Sequence, residues 1–370
     1  FFFQAEDGIR DLVRSRGLGD VYKRQPLFTR RLRIVQRLMK EMNSDLIERA
    51  VSLADEHLFP NALETDRAGE VPSQQLDLLR ESELYGIFSP VELGGLDASP
   101  KTQWAIIEAL SGGCLTTSFV WAQHAGPSKA AAETTGPMRE RWGRALATGE
   151  ARGGVAFAHL NRPGAPMLLA EPDGDNWLLS GSAPFVTGWG HIDVVLTAAR
   201  YEDLIIWAMI DARESESLSS KRLSLAAVDS ATTAELTFTR HYVPEATVTA
   251  IETFESWAER YKTGLRANGS NPLGVAARSI RLLGSSPFEE QLVEAREHLD
   301  SATSEELPLA RAVVGELCVR SAAALVAQVG GSAMTIEQQA QRLAREALFL
   351  LVQGQTIQIK KNHLQLLTNK

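Results

Sequence analysis

Cysteine is scarce in this chain. Its 370 residues hold two, Cys114 and Cys318, far apart and with no CxxC or Cys/His cluster around them. That argues against a disulfide framework and a structural zinc site, and it fits a reducing compartment. Long apolar runs are lacking as well. No stretch of about 18 uncharged apolar residues is evident, so no membrane span is expected. Positive charge is in the minority: 38 Lys and Arg stand against 46 Asp and Glu, a formal charge of −8. An acidic balance argues against nucleic acid as a partner.

The common site signatures are missing too. There is no GxGxxG, P-loop, HExxH, GxSxG or EF-hand pattern. The seven histidines, at 57, 124, 159, 191, 241, 298 and 363, show no ligand spacing, so no metal is expected. No Ser/His/Asp set stands out. What is present is a globular composition, 44% hydrophobic and 23% charged, which excludes wholesale disorder. The length allows two or three domains of about 100–200 residues each.

Residues 1–25 (FFFQAEDGIRDLVRSRGLGDVYKRQ) resemble the translation of a sequencing-adapter oligonucleotide and are set apart from the fold. Residues 26–42 are basic and precede a start expected at Met39 or Met42. The leader 1–42 holds ten basic and five acidic residues, so the rest carries 28 basic, 41 acidic and a formal charge of −13.

From residue 43 the pattern is helical. Ser44 reads as an N-cap, and Leu46, Ile47, Ala50, Val51 and Ala54 recur at helix spacing. Pro60 is expected to interrupt that run. Further helices are predicted over 73–82, 101–112, 116–135 and 137–148, with a loop at 85–95, giving an all-helical unit over 43–150. Near Gly153 the character changes. About six short β-branched or aromatic runs, several alternating with period two, predict antiparallel strands over 151–252, in a small sandwich or barrel. Helical periodicity returns over 253–370. Breaks at 269–272, 284–287, 301–308 and 330–331 predict four or five bundle helices. The order α, β, α without βαβ alternation argues against Rossmann and TIM folds, so the class is α+β.

Several stretches in this order resemble the acyl-CoA dehydrogenase family. Tyr85–Gly95 (YGIFSPVELGG) is similar to the family's GxxGIxxPxxxGG loop. Ala147–Ala158 (ATGEARGGVAFA) resembles its entry into the β domain, and Leu160–Ala165 (LNRPGA) its LTEPGA segment. Ser180–Arg200 resembles the strand pair containing WIT. Gln328–Ser332 (QVGGS) and Arg345–Gln355 (REALFLLVQGQ) resemble QxxGGxG and RDAxxxxIxEGT. The resemblance spans about residues 44–370.

It implies a helical N-terminal domain, a middle β domain and a C-terminal bundle, with FAD bound between the last two. It places Phe185 beside the flavin ring, Thr187 near flavin N5 and Asn161 at the flavin edge. Gln328, Gly330 and Gly331 match the stretch that reaches the FAD of a neighbouring subunit, so a homodimer or homotetramer is implied. The implied substrate is a small acyl-CoA-like molecule. With no signal peptide left once residues 1–25 are set aside, the expected compartment is the cytoplasm.

The sequence departs from the family where the chemistry lies. The family's base is a glutamate, and Gln353 stands in its place. An amide does not accept a proton near neutral pH, so ordinary removal of an α-proton is not expected. The family's second base position falls near Gly264, also without a carboxylate. Glu346, two helical turns before Gln353, is a surrogate only if it is free of a structural ion pair. Pro166-Met167-Leu168 replaces the phosphate-binding GSD, leaving Arg278 or Arg281 to supply that charge. RxxFG is missing, and the bundle reads as shortened. The resemblance therefore implies an FAD-dependent oxidoreductase of impaired dehydrogenation. Two alternatives stay open: a flavin oxidase or monooxygenase, in which His124 would serve a flavin adduct, and a non-catalytic partner subunit.

Overall fold

A computed structural model describes residues 43–368; the leader, 1–42, lies outside them. Helix α1 (43–53) buries Leu46, Ala50 and Leu53 at helix spacing, and Ser44 lies within it rather than capping it. Pro60 does not interrupt the chain's helical course. A π-helical turn, Ala54–Leu58, leads directly into α2 (Phe59–Arg67), with the proline in its first turn. The π turn just before it accommodates the proline, the wider turn taking up the break left in the ladder by the missing N–H. Helix α3 (Ser73–Glu81) follows, then two tight turns, Leu84–Phe88 and Val91–Leu93. Helix α4 (Pro100–Gly113) opens on Ser99, whose side chain accepts the Thr102 N–H.

The helix expected over 116–135 is two helices, α5 (Leu115–Ala122) and α6 (Ala125–Glu133). Pro127 explains the break. It offers no N–H to Gln123 O, and its ring crowds that carbonyl. The expected helix 137–148 is a π-turn, Arg139–Gly143, continued as α7 (Arg144–Ala147).

Eight strands replace the expected six. They are β1 (Gly153–Ala156), β2 (Leu168–Asp173), β3 (Asn176–Val186), β4 (Val194–Tyr201), β5 (Leu204–Asp211), β6 (Leu218–Arg222), β7 (Ala234–Val243) and β8 (Val248–Thr253). They form one sheet in the order β6-β7-β3-β2-β4-β5-β8, with β1 paired to β4. The pairing is antiparallel except at β4, where β1 and one residue pair of β2 run parallel. The expectation of purely antiparallel strands is corrected to that extent.

Alternation along β4 and β5 divides two cores. Val195, Ala199, Ile206, Ala208 and Ile210 join Leu168, Leu179, Leu236 and Phe238 on one side. Val194, Leu196, Ala198, Ile205, Trp207 and Met209 face Trp142, Leu146 and Trp257 on the other. The second core fastens the sheet to helices before and after it.

The C-terminal region holds six helices, more than the four or five expected: α8 (Phe254–Asn268), α9 (Ser270–Leu283), α10 (Phe288–Ser301), α11 (Leu307–Val329), α12 (Gln339–Val352) and α13 (Ile357–Thr368). The unforeseen break between α12 and α13 turns on Gly354, at φ +62°. Leu265, Leu273, Leu299, Leu317 and Ile359 form the bundle core. Leu307–Met334 is long and apolar enough to meet a length-and-composition test for a membrane span, and 44% of its most apolar window is buried within the fold. It packs against α9, α10, α12 and α13, as the core helix of a bundle does.

Candidate functional site

Helix α8 organises the site. Thr253 caps it, Oγ1 accepting the Ser256 N–H at 3.2 Å. Residues three and seven apart share a helix face, so Tyr261, Gly264 and Asn268 line up on one side. Tyr261 ties that face to the β domain. Its phenol lies near the Asn161 side chain, and its ring meets Phe157 edge-on with centroids 6.3 Å apart. Burial raises its pKa, and the Asn161 side chain opposes the rise. Asn268 ties the same face to the turn after α12. Its Oδ1 accepts from Gln353 Nε2 at 3.4 Å, and its Nδ2 lies 2.9 Å from where a Gly354 Cβ would sit. Between these two ties, a Cβ on Gly264 would have nothing within 4 Å. The open stretch of α8 is thus flanked by Asn161 with Tyr261 and by Gln353 with Asn268.

Gln353 carries a further mark. Its Oε1 is buried without a hydrogen-bond partner. An orphaned buried carbonyl is costly and calls for a donor from outside the chain.

Phe185 stands out on β3. The strand slips register between Ala183 and Val186, and Phe185 takes φ +61° with 46% of its surface exposed. A bulge of this kind re-aims a side chain, and left-handed backbone costs an aromatic residue about 1–3 kcal/mol. The Arg162 guanidinium lies over the ring, 5.4 Å from its centroid. Thr187, two residues on, points inward instead. It is 3% exposed and its hydroxyl bonds Thr233 at 3.3 Å.

The other candidate residues lie apart from this cluster. His124 is 1% exposed, with both ring nitrogens engaged. Nδ1 accepts the Gly153 N–H at 3.1 Å, so Nε2 carries the proton and donates to Leu146 O at 2.9 Å. Burial pulls its pKa down to about 4. This ring clasps α6 to the start of β1. Glu346 is 2% exposed and accepts from Arg342 at 2.5 Å, an ion pair inside the bundle. Burial raises its carboxyl pKa against the pull of Arg342. Gln328, Gly330 and Gly331 are exposed at the end of α11, with open space where either glycine's Cβ would stand. Arg278 and Arg281 share the single Asp55 carboxylate, which offsets one of their two charges. No group of three His, Cys, Asp or Glu suited to a metal occurs among the described residues.

Sequence reading passed over Asn268, Tyr261 and Arg311. The first two are marked only by sharing a face with Gly264. Arg311 is a lone charge in the apolar run LPLARAVV.

The residues present fit a flavin ring better than they fit its phosphates. Phe185 offers an exposed aromatic face with a cation above it, and Asn161 offers an amide at its edge. For the phosphates, the arginine candidates Arg278 and Arg281 are both engaged with Asp55.

Comparison with known proteins agrees with this arrangement. Residues 40–150 match the family model described as acyl-CoA dehydrogenase, N-terminal domain. The fold superposes on a glutaryl-CoA dehydrogenase from Mycobacterium smegmatis solved in complex with FADH2, with TM-score 0.75 and 16% identity, over 90% of this chain and 96% of that one. The match over residues 40–150 and the shared fold make the chain similar to acyl-CoA dehydrogenases, at low sequence identity. It is 25% identical over 169 residues to the short-chain specific acyl-CoA dehydrogenase of Bos taurus, which is 44% of this chain and 40% of that protein. It is 26% identical over 160 residues to a 3-sulfinopropanoyl-CoA desulfinase of Variovorax paradoxus, 42% of this chain and 40% of that one. The chain thus spans about two fifths of the length of these curated relatives. This chain has the layout of those structures: helices, a mostly antiparallel sheet, then a helical bundle.

Proposed function

We propose that the protein is a flavoprotein that binds an acyl-CoA-like thioester along the open face of α8, and that ordinary α,β-dehydrogenation is suppressed in it. The observation carrying this reading is the amide pair Gln353–Asn268, where the family resemblance expects a carboxylate base. Neither side chain accepts a proton near neutral pH. Phe185 would cover one face of the flavin ring and exclude water. Asn161, beside Tyr261, would approach its edge, and the backbone of β3 beyond the bulge would pass its reactive side. FAD, when bound, supplies a two-electron acceptor. Gln353 Oε1 would accept a hydrogen bond from an N–H of the bound thioester's pantetheine arm, while its Nε2 stays with Asn268. The same reading includes a homodimer or homotetramer. Exposed Leu348, Val352, Ile357 and Leu364 on α12 and α13 support it, since apolar side chains of this kind cluster at subunit contacts.

The test is one preparation of the purified chain. Flavin absorbance is expected in its visible spectrum. Anaerobic butyryl-CoA is expected to shift that spectrum without bleaching it. Rapid bleaching would show that a base is present and overturn the reading, and absence of any flavin would leave a non-catalytic homologue.

A further inference from the structure

Four arginines in the described chain are more than nine-tenths buried: Arg266, Arg278, Arg311 and Arg342. Three of them hold a carboxylate, namely Asp300, Asp55 and Glu346. Arg311 holds none. It is 1% exposed, its Nη2 donates to Leu350 O at 3.0 Å, and its Nη1 has no partner. A guanidinium taken out of water without a counter-charge is costly, and here the chain leaves it unmatched.

The surroundings are those of a receptor for an anion. His363 of α13 reaches the same place, 4% exposed, and neither ring nitrogen makes a well-formed hydrogen bond. Its Nε2 and Arg311 Nη1 lie 2.6 and 3.3 Å from where a Gly315 Cβ would stand, so only glycine there admits both groups. Tyr261 and Cys318 are the titratable groups whose charge Arg311 senses, and neither is an anion at neutral pH. The guanidinium is tied to Leu350, three residues before Gln353, and it senses Tyr261, which shares a face of α8 with Gly264.

We propose that Arg311 is the receptor for a carboxylate, borne either on the far end of the acyl chain or on a free small acid. The thioester form of this proposal rests on the function proposed above; the carboxylate receptor does not. A guanidinium grips a carboxylate through two parallel N–H donors, and Nη1 supplies the donor left over here.

Three probes separate the sources: succinyl-CoA, butyryl-CoA and free sodium succinate, the last against sodium chloride of equal ionic strength. Binding to the full chain is measured by calorimetry. Succinyl-CoA is expected to bind at least tenfold more tightly than butyryl-CoA. Arg311→Met is expected to erase the difference, and Arg311→Lys to keep only part of it. Binding of free succinate without either thioester would support the receptor and sink the thioester reading. Equal affinity for the two thioesters, no binding by any probe, or an undiminished preference in Arg311→Met would overturn the proposal. Should Arg311→Met fail to fold, an unchanged preference in Arg311→Lys overturns it instead, because lysine lacks the paired donors.

Discussion

Gln353 and Asn268 meet amide to amide, Nε2 to Oδ1 at 3.4 Å, across the gap between α8 and the turn that follows α12. The contact leaves Gln353 Oε1 facing a buried space with nothing to accept from. It also fixes which atom of the side chain is available to a ligand. A carbonyl oxygen accepts a hydrogen bond but cannot keep a proton near neutral pH, so the geometry of a base is present without its chemistry.

The first prediction follows from that contact. Gln353→Glu restores a carboxylate at nearly constant volume, and Asn268 can turn its Nδ2 toward it. A positioned general base is worth about 10²–10⁴-fold in rate. Anaerobic butyryl-CoA should then bleach the bound flavin at least a hundredfold faster than in the parent, as followed by stopped-flow absorbance. No gain, with flavin still bound, would mean that the acyl group does not lie beneath residue 353.

A second prediction concerns Phe185. Its left-handed backbone is costly for an aromatic residue, and 46% of its surface is exposed, so little packing repays that cost. Phe185→Gly should raise the stability of the flavin-free protein by about 1 kcal/mol in urea unfolding. The same change should weaken FAD binding, read by retention of absorbance on dialysis. Equal FAD retention in the two proteins would show that the ring is not part of the flavin site.

Much of the architecture was legible in the residues. The continuous apolar runs in DVVLTAAR and LIIWAMID mark β4 and β5, because each strand is buried on both sides by different cores. Glycine and proline punctuation marks most bundle breaks. Pro60 and Pro127 misled in opposite directions: a π turn carries the helical course past Pro60, whereas Pro127 lies in the first turn of a new helix after a break. The parallel pairing of β1 with β4 has no local signature, since it depends on a connection of about forty residues. At the site, Gln353 and Phe185 could be found by position. Asn268 and Arg311 could not, because their meaning lies in a partner or the lack of one, and sequence records neither.

The Arg342–Glu346 pair yields a third prediction. Both side chains are about 1–2% exposed, joined at 2.5 Å, and each keeps one polar atom without a partner. Removing one partner strands a buried charge, which costs about 3–5 kcal/mol. Glu346→Leu should therefore lower the urea-unfolding free energy by that amount. Adding Arg342→Met should recover most of the loss, because a packed apolar pair is often neutral relative to a buried ion pair. A structural role also requires that Glu346→Gln leave the thioester-induced change in the flavin spectrum intact. Loss of that change alone, with stability unaltered, would instead return Glu346 to the chemistry.

The last prediction is the pH dependence of stability. Burial pulls His124, His159 and His363 down to about 4, from an ordinary value of 6.5. The unfolded chain therefore binds these protons more readily than the folded one. Stability is then complete above pH 6.5 and is lost as pH falls from 6.5 toward 4. For His124 the full difference is about 3 kcal/mol, at about 1.4 kcal/mol per pKa unit. Its two ring nitrogens explain the direction: Nδ1 must stay unprotonated to accept the Gly153 N–H, so protonation breaks the clasp between α6 and β1. Urea unfolding at pH 7.5 and pH 4.5 should show a marked drop for the parent. His124→Asn should begin less stable at pH 7.5 and lose about 2–3 kcal/mol less on acidification. Parallel losses in the two proteins would show that the imidazole titrates as freely in the folded chain as in the unfolded one.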